Sequence, residues 1–134
     1  MLKYSRQREC IKEFLSGRKD HPTADDVYMH VRQQFPSISL GTVYRNLALL
    51  SDIGEIIRIS VGDGVDRFDY CTEPHYHVIC EGCGCVQDIE MPKEDMDNFM
   101  NAVSKYYDGV LATPYIYFKG TCSECMNLKA KVNN

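Results

Sequence analysis

Apolar residues recur at helical spacing as far as Gly54, and beyond it they alternate. Tyr4 to Ser16 predicts a first helix, in which Ile11, Phe14 and Leu15 share a face and Gly17 acts as the stop. HPTADDVYMHVRQQFP predicts a second. Thr23 is placed to cap it, Asp26 completes a capping-box pair, and Val27, Tyr28, Val31 and Phe35 form its apolar stripe before Pro36. SLGTVYRNLALLSDIG predicts a third helix, capped by Ser39, buried through Val43, Leu47 and Leu50, and ended by Gly54. EIIRISV and VDRFDY then have strand character and meet at GDG, which predicts a hairpin. Three helices followed by a hairpin is the order of a winged helix-turn-helix. Its third helix would enter the major groove, with Thr42, Tyr44, Arg45 and Asn46 able to reach base edges or phosphates.

The pattern changes again after Tyr70. YHVIC and CVQDIE predict short strands around a CEGC turn, and Pro92 opens a helix striped by Met96, Phe99, Met100, Val103 and Tyr106. GVLATPYIYFKGTC predicts a strand that runs into a second cysteine pair. The fold class expected is therefore α+β: a winged-helix DNA-binding domain over residues 1–70, a hinge near 70–74, and a small α/β domain over 75–134. About sixty residues is few for an independent core, so the second domain would gain from a metal staple or a second copy of the chain.

Composition narrows the class without deciding it. Hydrophobic content of 44% and charged content of 25% describe an ordinary globular chain. The apolar runs are too short to span a membrane, and charge appears at once in MLKYSRQREC, so the expectation is a cytoplasmic protein with no membrane partner. The net charge of -4 would argue against an anionic partner if it were spread evenly. It is not: residues 1–19 hold six basic and two acidic side chains, whereas residues 71–134 hold five and nine. A basic head on an acidic body suits binding to nucleic acid by one end, with Lys3, Arg6 and Arg8 as candidate phosphate contacts. On charge alone, a solvated helix fits equally well.

Seven cysteines without an export signal favour thiolate metal ligands over disulfides. Cys80-x-x-Cys83 and Cys122-x-x-Cys125 are two knuckles on separate segments, each able to offer two sulfurs to one side of a zinc ion. A closed structural Zn2+ site is the reading, against redox disulfides or coincidence. Cys10, Cys71 and Cys85 fall outside it. Cys85 is expected to point away, and all three default to incidental thiols.

The histidines need a separate home. His75 and His77 are two apart and would share one face of a strand. Asp69 lies just before them, Asp88 on the strand after the first knuckle, and His21 immediately before the second helix. Singly, each has an ordinary surface or edge role. Together, three imidazoles and two carboxylates suit Fe2+ or Mn2+ better than a soft thiolate set does.

HPTADDVY, GTVYRNL, RFDY followed by HYHVICEGCG, and CSEC together resemble the ferric uptake regulator (Fur) family over essentially the whole chain. The resemblance implies a homodimeric winged-helix repressor of double-stranded, palindromic operator DNA, with zinc and the dimer interface in the C-terminal domain. Within the family the pattern is most similar to the peroxide-responsive repressors. In that subgroup the regulatory metal takes a histidine before PTADD, the aspartate of RFD, both histidines of HYH, and an aspartate five residues past the knuckle. Those positions here are His21, Asp69, His75, His77 and Asp88. Iron regulators usually have glutamate at position 88, and often a further histidine-rich site that this chain lacks. TVYR, in contrast, resembles the iron regulators' reading head, where peroxide sensors often have asparagine instead of Arg45. The chain also begins late relative to the family's N-terminal arm.

The function implied is a metal-dependent repressor that senses peroxide by iron-catalysed oxidation of ligand histidines, with His21 and His75 as targets and no substrate besides metal ion and peroxide. Five ligands would leave one octahedral position open. The alternative within the family is a regulator of iron or manganese availability without peroxide chemistry. Outside it stand a zinc hydrolase built on His75 and His77, which lacks a well-placed glutamate base, and a zinc-ribbon adaptor that binds protein only.

Overall fold

The computed structural model describes residues 2–132 and divides into two compact units, one up to Glu73 and the other from Pro74. In the first unit, helix α1 spans Arg6–Leu15, α2 Ala24–Gln34 and α3 Leu40–Asp52. Each begins where a side-chain oxygen meets an orphan amide. Ser5 accepts from Arg8 N–H, Ser39 accepts from Thr42 N–H, and Thr23 and Asp26 form a complete capping box. Gly17 and Gly54, at φ 77° and 79°, take the left-handed conformation that turns the chain away after α1 and α3.

The stripes expected from the sequence meet in one core. Ile11, Leu15, Val27, Val31, Val43, Leu47 and Leu50 are at most 1% exposed, and Phe68 from the hairpin joins them. Burying a side chain of this size contributes about 1.5–3 kcal/mol, so these positions hold the three helices together. Strands β1, Ile57–Ser60, and β2, Asp66–Asp69, pair antiparallel with Ile57 opposite Asp69. The loop before α2 is fastened to this wing, because Phe68 N–H donates to the Pro22 carbonyl and Thr23 bridges to Arg67.

In the second unit, β3 is Tyr76–Cys80, β4 Val86–Ile89, α4 Lys93–Ser104, β5 Tyr117–Gly120 and α5 Ser123–Val132. The sheet order is β4-β3-β5, with β3 antiparallel to β4 and parallel to β5. Two expectations need correction here. The strand anticipated over GVLATPYIYFKGTC is confined to its last third, since Pro114 has no N–H to give a ladder. The helix opened by Pro92 ends at Ser104, so Tyr106 lies past it at 91% exposure, while Met96 is buried and Phe99 and Val103 are about 40% exposed. Helix α5, which carries Cys125, was not anticipated at all. Among the described residues no helix is long and apolar enough to cross a membrane.

Candidate metal centres and recognition helix

The four knuckle cysteines converge. Cys80 ends β3, Cys83 lies in the turn that follows, and Cys122 and Cys125 stand at the start of α5, where β5 delivers them beside β3. All four sulfurs lie within 4.8 Å of one another, and Cys83 and Cys122 are 3.9 Å apart. A tetrahedron with zinc–sulfur bonds of about 2.3 Å has edges of about 3.8 Å, so the set fits Zn2+. Backbone amides point at the sulfurs: Gly82 and Cys122 N–H both donate to Cys80 Sγ at 3.3 Å. The amides of Cys122, Cys83 and Gly82 bring the Cys80 thiol down to about 6. Hydrogen bonds with Cys122 and then Cys80 push Cys125 up to about 12, so a full set of thiolates calls for a cation. Gly82 is also required sterically. A Cβ there would stand 2.9 Å from Cys125 Sγ.

Cys85 does not point away, as the sequence suggested. Gly84, at φ 79°, turns the chain back, and Cys80 N–H closes the turn on the Cys85 carbonyl at 2.9 Å. The Cys85 thiol lies near Cys83 and Cys122, and burial, followed by contact with Cys83, pushes it up to about 12. It is not one of the four clustered sulfurs. Cys10 is buried in the helical core and donates to Gln34 Oε1 at 3.2 Å, while Cys71 is exposed.

The remaining metal-friendly side chains form one group in each unit. In the first, His21 Nε2 lies 3.4 Å from Asp69 Oδ2, and both side chains are nearly inaccessible. Asp69 Oδ1 accepts from Cys71 N–H at 2.9 Å. His21 has φ 52°, a left-handed conformation uncommon for a side chain with Cβ and disfavoured before proline, costing about 1–3 kcal/mol. The wing contacts of Pro22 and Thr23 hold it there. In the second unit, His77 pairs directly with Asp88 across β3 and β4. His75 Nε2 and His77 Nε2 approach the same Asp88 oxygen at 3.2 and 3.4 Å, with the two rings edge to face. Imidazole nitrogen and carboxylate oxygen are donors that divalent Fe and Mn accept. Buried carboxylates of this kind must be paired, and a cation satisfies them.

On α3, Tyr44 is 49% exposed, Arg45 is exposed, and Thr42 is half-buried. Asn46 is half-buried, and its Nδ2 donates to the Thr42 carbonyl at 3.0 Å. Near the N-terminus, Arg8 donates to the Lys3 carbonyl, and Arg6 lies over the Phe35 ring at 5.9 Å.

The sequence model of the ferric uptake regulator family matches residues 1–109. The peroxide-responsive repressor PerR of Staphylococcus epidermidis is 38% identical over 119 residues, covering 89% of this chain and 78% of that protein. The PerR of Staphylococcus aureus strain Mu50 is 35% identical over 126 residues, covering 94% and 84%. Among solved structures, the Helicobacter pylori ferric uptake regulator, described as having three functional metal-binding sites, superposes with a TM-score of 0.81 at 28% identity over 93% of this chain and 83% of its own. The Campylobacter jejuni peroxide stress regulator gives 0.76 at 28% identity, over 89% and 88%. With the winged unit, the four-cysteine cluster and these likenesses together, the chain belongs to the ferric uptake regulator family, whose members are transcription factors and not enzymes.

Proposed function

We propose that this protein is a homodimeric repressor that binds operator DNA when it holds a divalent metal, and that it senses peroxide at that metal. The residues up to about 70 would read DNA, and those from 75 onward would hold zinc and form the dimer. The observation that carries the reading is the pair of His/Asp groups, His21 with Asp69 and His75 with His77 and Asp88, each already gathered within its own unit. All five are the positions that the family resemblance assigns to the regulatory metal.

The four cysteines would hold structural Zn2+, and the five His/Asp residues Fe2+ or Mn2+. A metal ligated from both units ties the reading helix to the dimerising unit, so two α3 helices keep one mutual spacing. Successive major-groove faces lie roughly 34 Å apart, so metal would favour the DNA-competent form and DNA would reciprocally tighten metal. Bound Fe(II) supplies the reduction of peroxide that ends in oxygen addition to a neighbouring imidazole, with His21 and His75 as the targets. The aspartate at 88, one methylene shorter than the usual glutamate of iron regulators, favours peroxide sensing over the availability alternative.

The dimer reading has its own support. Phe99 and Phe118 both pack edge to face on Tyr76 of the second unit and are still 42% and 48% exposed, apolar area that a second copy would cover. Titrating Mn(II) into the protein with labelled duplex tests the core of the proposal. Binding should appear with metal and fall steeply with salt. Binding indifferent to metal, and still indifferent in Asp88→Ala, would contradict it.

A further inference from the structure

The N-terminal turn of α3 carries a hydrogen-bond chain that ends on the exposed arginine. Arg45 Nη2 donates to Thr42 Oγ1 at 2.9 Å, Thr42 Oγ1 lies 2.9 Å from Ser39 Oγ, and Ser39 Oγ accepts from Thr42 N–H at 3.1 Å. Guanidinium can only donate, so Thr42 Oγ1 is the acceptor in its bond with Arg45, while either hydroxyl can donate in the Ser39–Thr42 contact. Arg45 donates a hydrogen bond to the Thr42 hydroxyl, which is itself held to Ser39.

We infer that Thr42 is a positioning residue for base readout: its hydroxyl folds Arg45 back along α3, so that the guanidinium faces DNA from the helix N-terminus in one preset orientation. This deepens the DNA-binding reading above and rests on it. A free arginine side chain loses rotamer freedom when it docks on a base edge, and that loss weakens both affinity and selectivity. Here one Nη2–H bond to Thr42 has already fixed the head. The remaining Nη1 and Nη2 protons stay available as the fork that recognises two acceptors on a guanine edge. Thr42 and Ser39 would thus act on sequence selectivity without touching a base.

The test uses the Mn(II)-loaded full chain, a duplex selected by the wild type from a randomised pool, and a scrambled duplex of the same composition. Thr42→Val keeps shape and removes the hydroxyl, and Thr42→Ser restores it. The ratio of selected to scrambled affinity should fall roughly two- to tenfold in Thr42→Val and recover in Thr42→Ser. In an Arg45→Ala background, Thr42→Val should change that ratio no further, because its effect runs through the arginine. An effect of Thr42→Val that persists without Arg45 would make Thr42 a direct contact and overturn the proposal, as would an unchanged ratio in Thr42→Val itself. A wild type that selects no duplex from the pool would instead defeat the DNA-binding reading, and this proposal with it.

Discussion

His21 Nε2 and Asp69 Oδ2 lie 3.4 Å apart with both side chains at most 2% accessible. The pair is assembled by the wing: β2 carries Asp69, and the Phe68 and Arg67 contacts fix the backbone at Pro22 and Thr23, just after His21 in its left-handed turn. His21→Ala should therefore have two consequences. It should cost about 1–3 kcal/mol in urea unfolding of metal-free protein, because a buried carboxylate loses a partner. It should also abolish the regulatory metal while zinc content, measured by elemental analysis, stays at the wild-type level.

The zinc cluster predicts a contrast among cysteines. Serine at Cys80, Cys83, Cys122 or Cys125 should remove the zinc and unfold or dissociate the second unit, since structural zinc contributes about 10–16 kcal/mol of apparent binding free energy. Cys85→Ser should keep it, because four sulfurs already close the tetrahedron. Gly82→Ala should lose zinc much as a ligand mutant does, since the added methyl meets Cys125 Sγ at 2.9 Å. Zinc per chain after chelator challenge reads all three.

Much of this was legible in the sequence, and for physical reasons. The caps Thr23 and Ser39 and the stripes through Leu15, Val31 and Leu47 are local signals, and local signals fixed the first unit's helices, although the first begins only after its Ser5 cap and not at Tyr4. The wing followed from period and glycine. What stayed hidden depended on contacts distant in sequence. Pro114 limits β5, yet where β5 begins is set by its parallel register with β3, His77 opposite Tyr117. Helix α5 begins inside the second knuckle and carries Cys125, where the cysteine spacing drew the reading toward metal and away from its helix-forming residues. Cys85 turned inward because of one left-handed glycine, which spacing alone does not reveal.

Arg45→Ala should reduce affinity for the selected duplex by about 1–3 kcal/mol and relax specificity. Replacing Lys3, Arg6 or Arg8 should instead weaken all sequences alike and flatten the salt dependence. Equal losses on selected and scrambled duplex in Arg45→Ala would remove α3 from the role of reader.

Asp88 accepts two imidazole contacts on one oxygen, so its reach sets the geometry of that group. Asp88→Glu keeps charge and ligand type and should retain Mn(II)-dependent DNA binding. The longer side chain can chelate or crowd the vacant position, so oxidation of the Fe(II) form should slow. Single-turnover peroxide consumption by the two proteins gives the comparison.

The most direct measurement of the central claim is peptide mass spectrometry on Fe(II)- and Mn(II)-loaded protein, with and without peroxide, alongside DNA binding. The Fe(II) protein should gain one oxygen on a peptide containing His21 or His75 and leave its DNA, while the Mn(II) protein should do neither. An Fe(II) protein that keeps both histidines unmodified and stays on DNA would contradict peroxide sensing and leave the regulator of metal availability in its place.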